Sequence, residues 1–195
     1  MTHYDKVLAA MAVDGLMTHI EVSSLVSLAH GLDRVVEIGS WKGRSTKALA
    51  LSANTMYAVD DFSGAWASSA DAYDAKGQNE IREAFKHNLR GELDAKRCVL
   101  IETNSATNAS HVRELILENG PVDLVFIDGD HSEAGVLADI DIALDILKPG
   151  GVVCGHDVNL PGVHAALCLA LPGWTLAASP YTDDNKIWIW KENNS

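Results

Sequence analysis

The sequence predicts an α/β fold: a doubly wound, mostly parallel seven-stranded sheet that closes with a C-terminal antiparallel hairpin. Two observations carry this. From Val35 onward, short apolar runs alternate with stretches of helical periodicity, the mark of successive strand–helix–strand units in a parallel sheet. Near the end, WTLAAS and KIWIWK stand on either side of the turn-forming stretch PYTDDN, which reads as two antiparallel strands.

Taken in order, residues 1–33 read as a helical segment whose short stripe of Leu25, Val26, Leu28 and Ala29 packs on the sheet. The strands are VVEIG, TMYAVD, RCVLIE, VDLVFID and GVVCG, with STKALALSA, NEIREAFKHNL, HVRELILEN and SEAGVLADIDIALDIL as the helices between them. In the last of these helices Val136, Ile140, Ala143, Leu144 and Leu147 recur at helical spacing, and KPGG is a stop signal. PGVHAALCLAL supplies a final helix before the hairpin. Trp188 and Trp190 alternate with Ile187 and Ile189, so packing is their expected role. Residues 61–78, rich in Ser, Ala, Gly and Asp, are long for a strand-to-helix connection and sit at the strand carboxyl ends, which makes them a candidate lid.

Composition narrows the function. A chain of 195 residues suits one domain, 1–195, and 47% hydrophobic with 22% charged residues is ordinary for a globular protein. The net charge of −12 argues against a nucleic-acid partner, because phosphate binding favours a basic surface. Neither a signal peptide nor an 18-residue apolar run is present, so a soluble cytoplasmic protein with no membrane partner is expected. Cys98, Cys154 and Cys168 form an odd, scattered set without a CxxC pair and read as buried reduced thiols.

The stretch VVEIGSWKGRST, residues 35–46, carries the first chemical signal. Gly39 and Gly43 let a ligand approach the backbone, and Ser45 and Thr46 stand where a helix opens with free N–H groups. The spacing is neither the GxxxxGK of a phosphate loop nor the GxGxxG of a dinucleotide fold. Glu37, at the end of the first strand, repels a pyrophosphate and accepts hydrogen bonds from an ammonium. The turn therefore suits a cationic ligand.

EIGSWKG, the acid closing MYAVD, and LKPGG before the fifth strand together resemble the Rossmann-like class I S-adenosylmethionine-dependent methyltransferases over nearly the whole chain. The run FIDGDHSEAGVLADIDIALDILKPGGVVCGHD is similar to the small-molecule O-methyltransferase group that includes macrolide sugar and catechol O-methyltransferases. One departure is Trp41, where the family's first motif often has glycine. The resemblance assigns Glu37, Gly39, Ser40 and Gly43 to the methionine side of S-adenosylmethionine, with Ser45 and Thr46 at the helix start. It places Asp60 on the ribose hydroxyls, with Asp61 as substitute, and Ser105 at the adenine. Asn104, Ser105 and Thr107 are equally suited to capping the next helix.

Two further strand ends are dense in polar groups, IDGDH at 127–131 and GHDVN at 155–159. Adjacent strand ends face one crevice, so Asp128 and Asp157 come together and either raise a pKa or recruit a cation. Two carboxylates with waters and substrate oxygens suit Mg²⁺, whereas His131 or His156 favours Mn²⁺, Fe²⁺ or Zn²⁺. The resemblance implies metal ligands at Asp128, His156 and Asp157, with Asp128 also near the cofactor. His156 departs from a carboxylate common in relatives, and a strand-end or substrate contact is the alternative. His131 stands where catechol-type relatives carry a proton-abstracting lysine, so it is the candidate base. The other histidines, among them His87 and His164, show no paired spacing and read as surface or packing residues. Trp66 and Tyr73 are candidates for the acceptor pocket.

The expectation is thus metal-assisted O-methylation of a small hydroxylated acceptor, a sugar or natural-product intermediate, by a chain that can form homo-oligomers. A cofactor-binding partner of a hydroxylase-type enzyme, without transferase activity, is the alternative. A nicotinamide oxidoreductase is disfavoured by the missing GxGxxG and the terminal hairpin.

Overall fold

The computed structural model describes residues 1–64, 73–177 and 185–191. Helix formation at the N-terminus is set by two capping boxes. Thr2 caps α1 (His3–Met11) and Thr18 caps α2 (His19–Leu28), each side chain accepting from the backbone N–H of its third helical residue, while Asp5 and Glu21 reach back to the cap N–H. Such reciprocal bonds satisfy donors that a helix start would otherwise leave free. Leu25 and Val26 of α2 are fully buried in the same apolar cluster as Val35 and Leu124 of the sheet.

The sheet runs in the order β3-β2-β1-β4-β5-β7-β6, and β1 to β5 are mutually parallel. Its strands are β1 (Arg34–Ile38), β2 (Thr55–Asp60), β3 (Cys98–Glu102), β4 (Val122–Ile127), β5 (Leu147–Gly155), β6 (Thr175–Leu176) and β7 (Trp188–Lys191). β7 pairs antiparallel with both β5 and β6, which places the hairpin at one edge. Side chains alternate across the sheet. Val35, Leu124 and Phe126 face the layer of α1, α2, α3 (Arg44–Ala50) and α4 (Ala75–Asn88), whereas Val36, Val125 and Ile127 face α6 (Ala109–Leu117), α7 (Glu133–Ile146) and α8 (Pro161–Ala170). A strand buried on both faces reads as a continuous apolar run because each face meets its own helices. The short α5 (Arg90–Asp94) leads from α4 into β3.

Several details depart from the sequence reading. β5 begins at Leu147, which leaves α7 with extended geometry and pairs at once with Val122, so KPGG lies inside a strand whose register then shifts. Leu144 is 43% exposed, and the buried stripe of α7 runs instead through Val136, Asp139, Ile140, Ala143 and Ile146. Asp74 caps α4, so residues 75–78 of the stretch read as a lid belong to a helix, and residues 65–72, with Trp66, lie outside the described residues. Cys98 and Cys154 are buried, but Cys168 is exposed on α8. Trp188 is fully buried and its indole N–H donates to His156 O at 3.1 Å, in keeping with packing. Among the described residues, no helix is long and apolar enough to cross a membrane.

One glycine fixes how the first turn meets the sheet. Gly39 has φ +89°, and a Cβ there would stand 2.3 Å from Asp128 O and 2.5 Å from the Cα of Gly129. The obstacle is backbone and cannot rotate away. Gly39→Ala should destabilise the protein by about 2–4 kcal/mol, combining left-handed strain with overpacking, as read from a chemical-denaturation midpoint. Gly91, within α5, provides the contrast, since among the described residues a Cβ there would meet nothing within 4 Å beyond its own helix. Gly91→Ala should stabilise by about 0.5–1 kcal/mol, and equal losses in the two variants would contradict this account.

Candidate active site

The carboxyl ends of the parallel strands are held together beyond the sheet by four backbone bonds. Gly39 N donates to Val59 O at 2.9 Å, Asp128 N to Ile38 O at 2.8 Å, His156 N to Ile127 O at 3.1 Å, and Thr103 N to Asp60 O at 3.1 Å. These bonds fix the residue that follows each strand, Gly39, Thr103, Asp128 and His156, around a cavity of about 640 Å³. The crevice opens where strand order reverses between β1 and β4, the usual ligand position in such sheets.

Of the residues assigned to cofactor, Gly39, Ser40, Ser45, Asp60, Ser105 and Asp128 line this cavity. Glu37, Gly43 and Thr46 do not. Glu37 is fully buried, and its Oε2 accepts from the Thr46 hydroxyl while Oε1 has no hydrogen-bond partner among the described residues. Burial pushes its carboxyl up to about 7, against the hydroxyls of Ser45 and Thr46, which favour the charged form. Gly43 opens α3 in the left-handed region at φ +89°. Trp41 also has a positive φ of 45°, which accounts for glycine being at home in that position.

Asp60 is more engaged than a free ribose acceptor. Its Oδ2 accepts from Ser40 N and Trp41 N, both at 2.7 Å, and its Oδ1 from Phe62 N at 2.6 Å. Burial still raises its pKa, against those three bonds. A carboxylate has about four lone-pair sites, so three backbone donors leave little capacity for two ribose hydroxyls. Asp61 also lines the cavity and accepts from Ser63 N and from Asn104. Ser105 does not cap a helix. Its hydroxyl donates to Asp139 Oδ1 at 2.7 Å, and Asn104 makes the local turn by accepting from Thr107 N.

On the other side of the crevice, Asp128, His131 and Asp157 bring one ligand atom each to within 4.8 Å of the others. His131 Nε2 lies 3.6 Å from Asp128 Oδ1 and 3.7 Å from Asp157 Oδ2, and it is buried with no hydrogen-bond partner among the described residues. Burial lowers the pKa of His131, but the two carboxylates outweigh it and the net shift is upward. The residue read as base is therefore placed in the same cluster as the residues read as ligands. His156 is held from behind: Nε2 lies 3.0 Å from Glu21 Oε1, while Nδ1 faces Asp157 Oδ1 at 3.3 Å and Asp128 Oδ1 at 3.6 Å. Burial opposes charge on this imidazole, yet three carboxylates push it up to about 12, and Glu21 is correspondingly held down at about 2.

Glu21 was not legible as a site residue. The pattern Thr18-x-x-Glu21 marks a helix start, but its contact with His156 spans 135 residues of sequence. Tyr73 does not line the cavity among the described residues.

A family model described as a methyltransferase domain, Methyltransf_24, matches residues 36–158. No curated protein matches the chain. Among solved structures, cofactor-bound Rv0187 from MTB is 20% identical with a TM-score of 0.61, covering 95% of this chain and 87% of that one. CalS11, a calicheamicin methyltransferase, is 15% identical with a TM-score of 0.62 over 98% of this chain and 80% of its own. An O-methyltransferase from Bacillus cereus, solved in complex with SAH, is 18% identical with a TM-score of 0.58 over 97% and 90%. At these identities the solved structures establish the shared fold. With the family match over more than half its length, the chain belongs to the methyltransferase-domain family, the class I S-adenosylmethionine-dependent methyltransferases.

Proposed function

We propose that this protein transfers the methyl group of S-adenosylmethionine to a hydroxyl of a small molecule, assisted by a divalent ion. The observation that carries the reading is the cluster of Asp128, His131 and Asp157 on the wall of the cofactor crevice. The two carboxylates are oxygen donors that fit a cation, and the His131 imidazole between them, with no hydrogen-bond partner on its buried Nε2 among the described residues, is placed to exchange a proton. Asp128 and Asp157 would hold the ion, and His156 Nδ1 would join them on losing the proton that its neighbouring carboxylates favour, with Glu21 at Nε2 orienting the ring. When bound, such an ion lowers the pKa of an acceptor hydroxyl. Its identity is proposed as Mg²⁺ from the carboxylates, with Mn²⁺, Fe²⁺ or Zn²⁺ favoured to the extent that the imidazoles bind.

The chain itself performs the rest. The methyl donor is already activated, so the main demands are alignment of acceptor oxygen, methyl carbon and sulfur, and removal of the acceptor proton. Ser40 and Ser45 at the opening of α3 hold the methionine end, and Asp60 fixes the turn around it through its three backbone bonds. Asp60 or Asp61 meets the ribose. His131, between the two carboxylates, takes the acceptor proton once it is in its neutral form. CalS11 and the Bacillus cereus protein are methyltransferases by name, the latter of the O-type, which supports a small hydroxylated acceptor. The acidic balance of −12 favours such a molecule over a nucleic acid.

Two outcomes test this. Exhaustive chelation should abolish methyl transfer while S-adenosylhomocysteine still binds within a few-fold of its original affinity, and added Mg²⁺ or Mn²⁺ should restore turnover. Full activity in the chelated protein would defeat the metal role. His131→Ala should lower turnover by roughly 10²–10⁴ with cofactor affinity nearly unchanged, lose the acidic limb of the pH profile, and be partly rescued at high pH. Bound ion measured beside turnover separates base from ligand: a variant that loses ion and recovers in excess metal assigns His131 to the metal instead.

A further inference from the structure

The two outer edges of the sheet differ in what they leave open. β6, at one end, is two residues long, and a strand so short offers few backbone groups to another chain. β3, at the other, is the five-residue run CVLIE, with no proline and no break in its register. Its inner row of backbone groups is bonded toward β2: the Arg97 carbonyl accepts from Met56 N, and Thr103 N donates to Asp60 O. Backbone groups alternate in direction along a strand, so Cys98, Leu100 and Glu102 turn their N–H and C=O outward. Among the described residues no strand pairs with that outer row. A groove of about 550 Å³ lies along the same edge, lined by residues 99–102 of β3 and by His111 and Leu115, one turn apart on α6. Val99 is left 40% exposed there. An unpaired row beside a partly apolar groove is a template for one more strand.

Charge along the edge identifies the strand that fits. Lys96 and Arg97, both exposed, stand at the entry to β3, and Glu102 stands at its exit. Lys96 makes no ion pair among the described residues, Arg97 reaches Glu92 only at 3.7 Å, and Glu102 gives one oxygen to Arg82 at 2.6 Å. A strand laid antiparallel on this edge must carry acid at the basic end and base at the acidic end, and β3 of a second copy does so by symmetry. A parallel copy would set like charges together. We propose that two copies of this chain join along β3, antiparallel about a two-fold axis, so that one sheet runs through both. Of the registers in which outward-facing residues meet, the one that sets Glu102 opposite the partner's Lys96 also sets Cys98 opposite the partner's Leu100 and brings Val99 onto the axis. Val99 then forms a non-hydrogen-bonded pair with its own copy, the kind in which side chains approach most closely. Thr103 and Ser105, just past the joint, line the cofactor crevice, so each site stands beside the interface while the two crevices open at opposite ends of the strands. The inference is independent of metal, cofactor and acceptor.

Sedimentation and cross-linking of the full chain test it. The wild type should sediment as a dimer at about 100 µM. Val99→Lys sets like charges face to face on the axis and should weaken association by roughly tenfold or more, with the far-ultraviolet circular dichroism unchanged. Val99→Cys, made together with Cys168→Ser to remove the exposed thiol, should give a disulfide-linked dimer under mild oxidation. The Cα atoms of a non-hydrogen-bonded pair stand about 4.5 Å apart, within reach of a disulfide. Leu169→Cys in the same background, 67% exposed on α8, should run as a monomer on a denaturing gel. A wild type that is monomeric at that concentration would overturn the proposal and leave the edge to a different chain. A dimer that Val99→Lys leaves intact, or cross-linking by Leu169→Cys in preference to Val99→Cys, would overturn it by placing the interface elsewhere.

Discussion

The site depends on how closely the turn after β1 lies against the start of the β4–α7 segment. Asp128 N donates to Ile38 O, and Gly39 passes within van der Waals contact of the Asp128 carbonyl, so the two loops share one backbone wall. Parallel strands permit this because their carboxyl ends all emerge on one side, and each additional bond past the sheet edge sets the next residue in place. Residues distant in sequence therefore meet without a long loop to carry them. Ile127 pairs with Gly155, so the register of β4 and β5 sets His156 beside Asp128, and Asp157 comes within 4.8 Å of Asp128 where the chain turns at a φ of 53°.

That arrangement concentrates negative charge, and the chain manages each acid differently. Asp60 is held by backbone N–H groups, which rigidify the turn it bonds. Glu37 is held by the Thr46 hydroxyl beneath the cavity wall, where its burial favours a protonated state near neutrality. Asp128 and Asp157 are faced by imidazoles, and His156 in turn leans on Glu21 from α2. Glu21 Oε1 also accepts from Lys186 N at 3.3 Å, so one carboxylate joins the N-terminal helices, the β5 end and the approach to β7. An acidic crevice of this kind suits a ligand bearing a sulfonium and an ammonium, and it suits a divalent ion.

The alternation of strands and helices, the terminal hairpin and the crevice were legible in the sequence because β-branched runs, strand-end acids and the turn at Gly39 are local signals with one consistent arrangement. Ser40, Ser45, Asp60 and Asp128 line the cavity, each standing at a strand's carboxyl end or in the turn and helix start that follow it. Glu37 and Thr46 were harder: a residue at a strand end can point into the crevice or beneath it, and only packing decides which. The partnership of Glu21 with His156 left no signal, since a capping residue spends one oxygen locally and the other across the fold. Asp139 was hidden inside an apolar helix pattern, where one acid reads as a solvent-facing position although it is 2% exposed. The exposure of Cys168 was lost in the same way, on a helix too apolar overall to show its outer face.

The most direct measurement is a crystal structure of the protein grown with S-adenosylhomocysteine and Mn²⁺, with anomalous scattering used to locate the metal. The account predicts the nucleoside lying from the β1 turn across the end of β2 toward Ser105, and one anomalous peak bound by Asp128 and Asp157. A cofactor outside this crevice, or a fully occupied cofactor with no anomalous peak at the Asp128–His131–Asp157 cluster, would contradict it.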